Sequence, residues 1–125
     1  MTPLLFASVA AAGGVGASFR LLVDGFVRSR SRGGYPFGTT IINITGSLAL
    51  GFVVGLALNS LLPEMWRQII GTGLLGGYTT FSTASFETVR LLQERRQIAS
   101  ILNGFGMLVG AVLAAALGLW LASLL

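Results

Sequence analysis

The stretch Gly73-Leu74-Leu75-Gly76-Gly77-Tyr78-Thr79-Thr80-Phe81-Ser82-Thr83 lies in the middle of an apolar run and suits a helix interior badly. A glycine costs about 1 kcal/mol against alanine there, and here two adjacent glycines precede Tyr-Thr-Thr. A break at this point frees backbone carbonyls and amides that lipid cannot satisfy. Such backbone survives at membrane depth only where it is buried in protein, lines water or holds an ion. The carbonyls of the first half-helix can coordinate a cation, as in discontinuous transporter helices. Thr80 or Ser82 can cap the second half-helix. The competing reading is an unbroken helix whose glycines serve packing alone.

Working outward, the rest of the chain is membrane-like. Only 10 % of its 125 residues are charged and 54 % are apolar, with 18 glycines. A soluble domain of this size carries about a quarter charged residues. Four apolar segments, at about 3–23, 36–62, 66–92 and 98–125, are each long enough to cross a hydrocarbon core of roughly 30 Å. Short polar connections at 24–35, 63–65 and 93–97 make sequential helices antiparallel neighbours. The expectation is an all-α membrane protein, one domain over 1–125, with four spans and a broken third helix. Ser8-Val9-Ala10-Ala11-Ala12 has the small residues of a cleavage site, but no basic stretch precedes it, so it reads as an uncleaved first span. Gly51 and Gly55, Gly73 and Gly77, and Gly106 and Gly110 sit four apart, the spacing of close helix packing in lipid.

Cysteine and histidine are absent. That removes disulfides, thiolate chemistry and the commonest metal ligand and general base. The acids Asp24, Glu64, Glu87 and Glu94 fall near segment ends, and no nucleophile–base pair is available, so the chain is not read as an enzyme.

Segment two opens with Pro36, suited to a first turn. Thr39, Asn43 and Ser47 then share one face at i, i+4, i+8. An asparagine this far into a membrane helix is expensive unless hydrogen-bonded or wet. Its amide offers two donors, which suits a partly dehydrated anion; an interhelical hydrogen bond is the structural alternative. Phe81, beside the break, can present the positive edge of its ring. Arg20, near the end of segment one, reads either as a snorkelling interfacial residue or as part of an electropositive mouth. Glu87 and Arg90 read as a surface pair at i, i+3.

These residues together resemble the Fluc (CrcB) fluoride channel family. The motifs are Gly13-Gly14-Val15-Gly16-Ala17 with Arg20; Gly38-Thr39 with Asn43 and Gly46; and Gly76-Gly77-Tyr78-Thr79-Thr80-Phe81-Ser82-Thr83. They stand in order along essentially the whole chain, and the third is the most specific. The resemblance implies a dual-pore dimer of antiparallel four-helix subunits that exports fluoride passively across the inner membrane. It implies a fluoride path lined by Asn43 and Phe81, to which Thr39, Thr80, Ser82 and Arg20 are added as candidates. It also implies a structural Na⁺ on the backbone carbonyls of Gly76 and Thr79 from both subunits. Ala84 stands where the family carries a second phenylalanine, and the next one, Phe86, lies on another face. Met107 and Ala111 occupy the line of a hydroxyl track in segment four, leaving Asn103 as its main polar residue.

A small multidrug exporter has the same size and span number, but it needs a carboxylate in its first span, and 3–23 contains none. Arg20, Arg28, Arg30, Arg32, Arg90, Arg95 and Arg96 lie near the first and third connections, against Arg67 alone at the other side. That bias places both termini outside the cytoplasm. An antiparallel homodimer needs the chain inserted both ways, so the bias favours pairing with a related subunit of opposite bias over pairing with itself.

Overall fold

The computed structural model describes residues 1–125 and is helical almost throughout. Three helices are long and apolar enough to cross a membrane: Pro3–Arg30 with 28 residues, Phe37–Leu58 with 22, and Gln97–Ser123 with 27. At 1.5 Å per residue even the shortest covers about 33 Å, the hydrocarbon thickness of a bilayer. The remaining apolar segment, the third in chain order, is the broken one.

Helix α1 (Pro3–Arg30) is capped by Thr2, whose hydroxyl oxygen accepts the Leu5 amide at 3.1 Å. It was expected to stop at Val23 but runs on to Arg30, because the polar residues beyond Val23 are themselves compatible with a helix. Asp24 and Arg28 pair at 3.0 Å across the added turns. The chain leaves α1 through extended Ser31 and then Gly33 and Gly34, at φ +88° and +71°. Glycine adopts those left-handed values at no steric cost. Helix α2 (Phe37–Leu58) ends four residues before the expected Leu62, where Asn59 and left-handed Ser60 turn the chain.

The third segment begins with α3 (Glu64–Arg67), widens into a π-helical stretch (Gln68–Leu75) and tightens again into α4 (Gly76–Tyr78). Hydrogen bonds from Arg67 and Gln68 hold the exposed Glu64 carboxyl down to about 2. The helix then breaks at Thr79–Phe81 and resumes as α5 (Ser82–Gln93). The break therefore falls just past the glycine pair, and Gly76 and Gly77 are helical. Their smallness serves packing, since a Cβ on Gly77 would strike the Gly13 backbone of α1. The fourth segment joins α6 (Gln97–Ile101), a second π-helical stretch (Leu102–Gly106) and α7 (Met107–Ser123).

Small residues set the helix contacts. Gly51 abuts Ala115 and Gly118 abuts Leu48, bringing α2 and α7 backbone to backbone, while Gly16 and Gly73 do the same between α1 and the π-helical stretch. Gly106 departs from the packing expectation: nothing lies within 4 Å of a Cβ placed there. Only 18 of 125 residues are buried, and side chains such as Leu21 and Ile98 point outward at 72 % and 76 % exposure. An apolar exterior over so thin a core belongs in lipid.

The connections after α1 and α5 meet at one end. Arg90 donates to the Gly34 carbonyl at 3.1 Å and Arg96 to the Gly33 carbonyl at 3.0 Å. This corrects the surface-pair reading of Glu87 and Arg90. Glu87 is 6 % exposed and accepts a hydrogen bond from the Thr39 hydroxyl. Arg90 reaches the loop and approaches Glu94 at 4.0 Å. Three residues along a helix leave two side chains about 60° apart around the axis, enough here to turn Glu87 toward α2 and leave Arg90 near the surface.

Candidate functional site

Asn43 lies a turn and a half into α2 and meets the helix break. Its Oδ1 accepts the Thr80 amide at 2.9 Å, and its Nδ2 donates to the Thr80 carbonyl at 2.8 Å. One side chain thus supplies both partners that a continuous helix would have given Thr80. The remaining Nδ2 hydrogen points to the Met107 sulfur at 3.1 Å. Turning the amide over would set donor against donor and acceptor against acceptor at Thr80, so the network fixes its orientation. Thr80 in turn caps α5, its hydroxyl oxygen accepting the Thr83 amide at 3.2 Å. Of the two caps the sequence offered, the structure uses Thr80.

The clamp has a consequence for the carbonyls before the break. In an unbroken helix the Thr80 amide would bond the Gly76 carbonyl; here it goes to Asn43, and no amide replaces it at Gly76. Thr79 has extended backbone at φ −80°, ψ 161°, and its carbonyl also receives no amide. The Gly77 carbonyl is left in the same state, because the Phe81 amide makes no backbone bond. Several oxygens of the kind a hard cation takes therefore stand free at this depth, those of Gly76 and Thr79 among them.

A cavity of about 550 Å³ opens beside the clamp. Asn43 and Ser47 of α2, Thr79, Thr80 and Phe81 of the break, and Ala84, Ser85 and Thr88 of α5 line it, with Asn103 and Met107 opposite. Phe81 stands at its rim, 86 % exposed in the single chain. Asn103 is fully buried and donates to the Thr88 hydroxyl at 2.8 Å, while that hydroxyl donates to the Ala84 carbonyl at 2.8 Å.

Of the sequence candidates, the structure brings Asn43, Thr80 and Phe81 together around this cavity, with Thr79 beside them. Thr39 lies elsewhere: it is 2 % exposed, and its hydroxyl is given to Glu87. Ser82 is exposed and lines neither main cavity, and Arg20 is half-buried away from both, its Nε shielded and unpartnered. Ser85 and Thr88 were missed. The signal for them was available, since Phe81, Ala84, Ser85 and Thr88 follow i, i+3, i+4, i+7 and share one face.

A second cavity, of about 200 Å³, lies at the arginine-rich end among Asp24, Arg28, Tyr35, Glu87 and Arg90. Burial there raises the Tyr35 phenol, with Arg96 working against it. Its charges are of both signs, so it is not an open anion well.

Apolar helices, an interrupted span and an uncharged, largely apolar cavity with a few polar side chains at the interruption define a multi-pass membrane protein with an ion- or solute-handling site. Residues 7–119 match the family model described as CrcB-like protein, Camphor Resistance (CrcB). The chain is 57 % identical over 124 residues to the fluoride-specific ion channel FluC 1 of Leifsonia xyli subsp. xyli, covering 99 % of this chain and 90 % of that protein. It is 45 % identical over 116 residues to FluC 2 of Cutibacterium acnes, covering 92 % and 94 %. To FluC 2 of Mycobacterium tuberculosis strain H37Rv it is 40 % identical over 124 residues, covering 99 % and 95 %. This chain belongs to the CrcB family of membrane ion channels.

Proposed function

We propose that this chain is a subunit of a fluoride-selective channel that lets fluoride leave the cell passively across the inner membrane. The observation that carries the reading is the Asn43 amide. Two of its three hydrogen-bonding groups are committed to Thr80, and the third, an N–H, is left on a thioether beside a largely apolar cavity that carries few competing polar groups. Fluoride holds water tightly, so a path must offer strong donors in exchange. An amide N–H already stripped of water is such a donor. Phe81 at the cavity rim adds a ring edge and Ser85 a hydroxyl, whereas the Thr79 and Thr88 hydroxyls already donate to the Leu75 and Ala84 carbonyls. Thr39, Ser82 and Arg20 stand outside the cavity and are assigned, at most, to its approaches. The curated relatives named above are fluoride-specific by name, which supports the choice of ion.

The working unit in this reading is an antiparallel dimer, with a second copy or a related subunit. The exposed Phe81 and the uncovered Gly106 face support it, since both want a partner in a protein otherwise packed on glycine. Na⁺ fits the free carbonyls of Gly76 and Thr79. Two from each subunit would hold it, and the ion would neutralise backbone dipoles that lipid leaves bare. Its role is structural. Release of fluoride from liposomes carrying the purified chain, started by a K⁺ ionophore and followed with a fluoride electrode, tests the reading. Liposomes that hold their fluoride despite a folded, reconstituted protein would refute it.

A further inference from the structure

Met107 opens α7 at the end of the second π-helical stretch, and its side chain is 6 % exposed. Its sulfur is the partner of the one Asn43 hydrogen not engaged with Thr80, at 3.1 Å. A thioether is a weak acceptor, so a buried strong donor here faces a poor partner. The Thr80 contacts fix the amide orientation, and the donor has no other way to turn. The thioether has three rotatable bonds and adapts readily. A cavity of about 550 Å³ lies beside it, so it can withdraw with no backbone movement.

Resting on the reading of Asn43 as a fluoride donor, we propose that the Met107 thioether is the resident occupant of that donor. It thereby sets how strong an acceptor must be to take the position. In the empty path the sulfur keeps the amide dry and aimed. An entering fluoride displaces it, because an N–H bond to an anion is roughly twice as strong as a neutral one. A weaker acceptor recovers less of its desolvation against the same displacement. Met107 is thus a specificity-determining residue, acting through competition for a hydrogen bond and not by touching the ion. Sequence reading pointed the other way, treating Met107 as an apolar gap in a polar track.

The test is an isosteric change. Growth on norleucine replaces the sulfur of each methionine by a methylene, and Met107→Leu removes it at that position alone with nearly conserved volume. In liposomes, both should lower the half-saturating fluoride concentration about threefold, the worth of a hydrogen bond toward the weak end of the ordinary range. Norleucine added to the Met107→Leu chain should change nothing further. Half-saturation within twofold of the unmodified chain in both preparations would overturn the proposal. So would an equal effect of norleucine in the Met107→Leu background, since Met1 and Met65 would then be responsible. Asn43→Leu separates the two layers. If it still conducts, the donor reading itself fails; if it is silent while the Met107 changes do nothing, only the competition proposal fails.

Discussion

Replacing Asn43 by leucine or by aspartate separates its two jobs. Leucine removes the whole clamp, leaving the Thr80 amide and carbonyl, now bonded at 2.9 Å and 2.8 Å, with no partner. Each buried orphan costs about 1–3 kcal/mol, so the break loses about 2–6 kcal/mol. Aspartate keeps an acceptor for the Thr80 amide but has no N–H to offer, and it sets an oxygen against the Thr80 carbonyl. A hydrogen bond to a charged partner is worth about 1.5–3 kcal/mol, so loss of the donor alone should slow fluoride release roughly tenfold to a hundredfold. The assay is ionophore-triggered fluoride efflux from liposomes, alongside thermal melting and the elution position of the detergent-solubilised protein. Both variants should be near background in efflux, and leucine should melt lower. An Asn43→Asp channel conducting within threefold of the original would refute the donor argument, whatever its stability.

Ala84 lines the cavity, so Ala84→Phe should fold and should hold or raise fluoride flux; unfolding would mean the cavity is filled in the assembled protein. If Na⁺ sits on the Gly76 and Thr79 carbonyls, exchanging Na⁺ for a large organic cation should lower the melting temperature and the dimer fraction. A Na⁺ gradient should still drive no transport, and gradient-driven uptake would contradict the structural role. If the seven-to-one arginine bias sets the orientation, both termini lie outside the cytoplasm. A C-terminal tag should therefore react with impermeant reagent in intact cells and pull down a related subunit of opposite bias. Equal labelling from both sides would show dual insertion of one chain instead.

The four apolar segments and the interrupted third span were legible because lipid imposes a single rule, that backbone must be satisfied locally, and Gly76 to Thr80 visibly breaks it. The exact position of the break was not legible. Glycine signals both weak helix and close approach, and only the α1 backbone against Gly77 reveals which applies. The end of α1 was misjudged for a related reason, since Asp24 and Arg28 mark a polar stretch without ending a helix. At the site, the Thr39/Asn43/Ser47 face was readable from periodicity, but which of its members meets the break depends on how α2 docks. Glu87 shows the limit most clearly. On the sequence it is a charge near a membrane edge; in the fold it is buried against Thr39. Met107 was legible only as an interruption, because nothing in one strand of sequence tells which donor a sulfur will meet.

The most direct test of fluoride-selective conduction is the reversal potential across a planar bilayer containing the purified protein, with fluoride and chloride gradients set in opposite directions. A fluoride-selective channel gives a current that reverses close to the fluoride equilibrium potential and stays there when the chloride gradient is changed. A reversal potential that follows chloride, or a folded protein that passes no fluoride current, would contradict it.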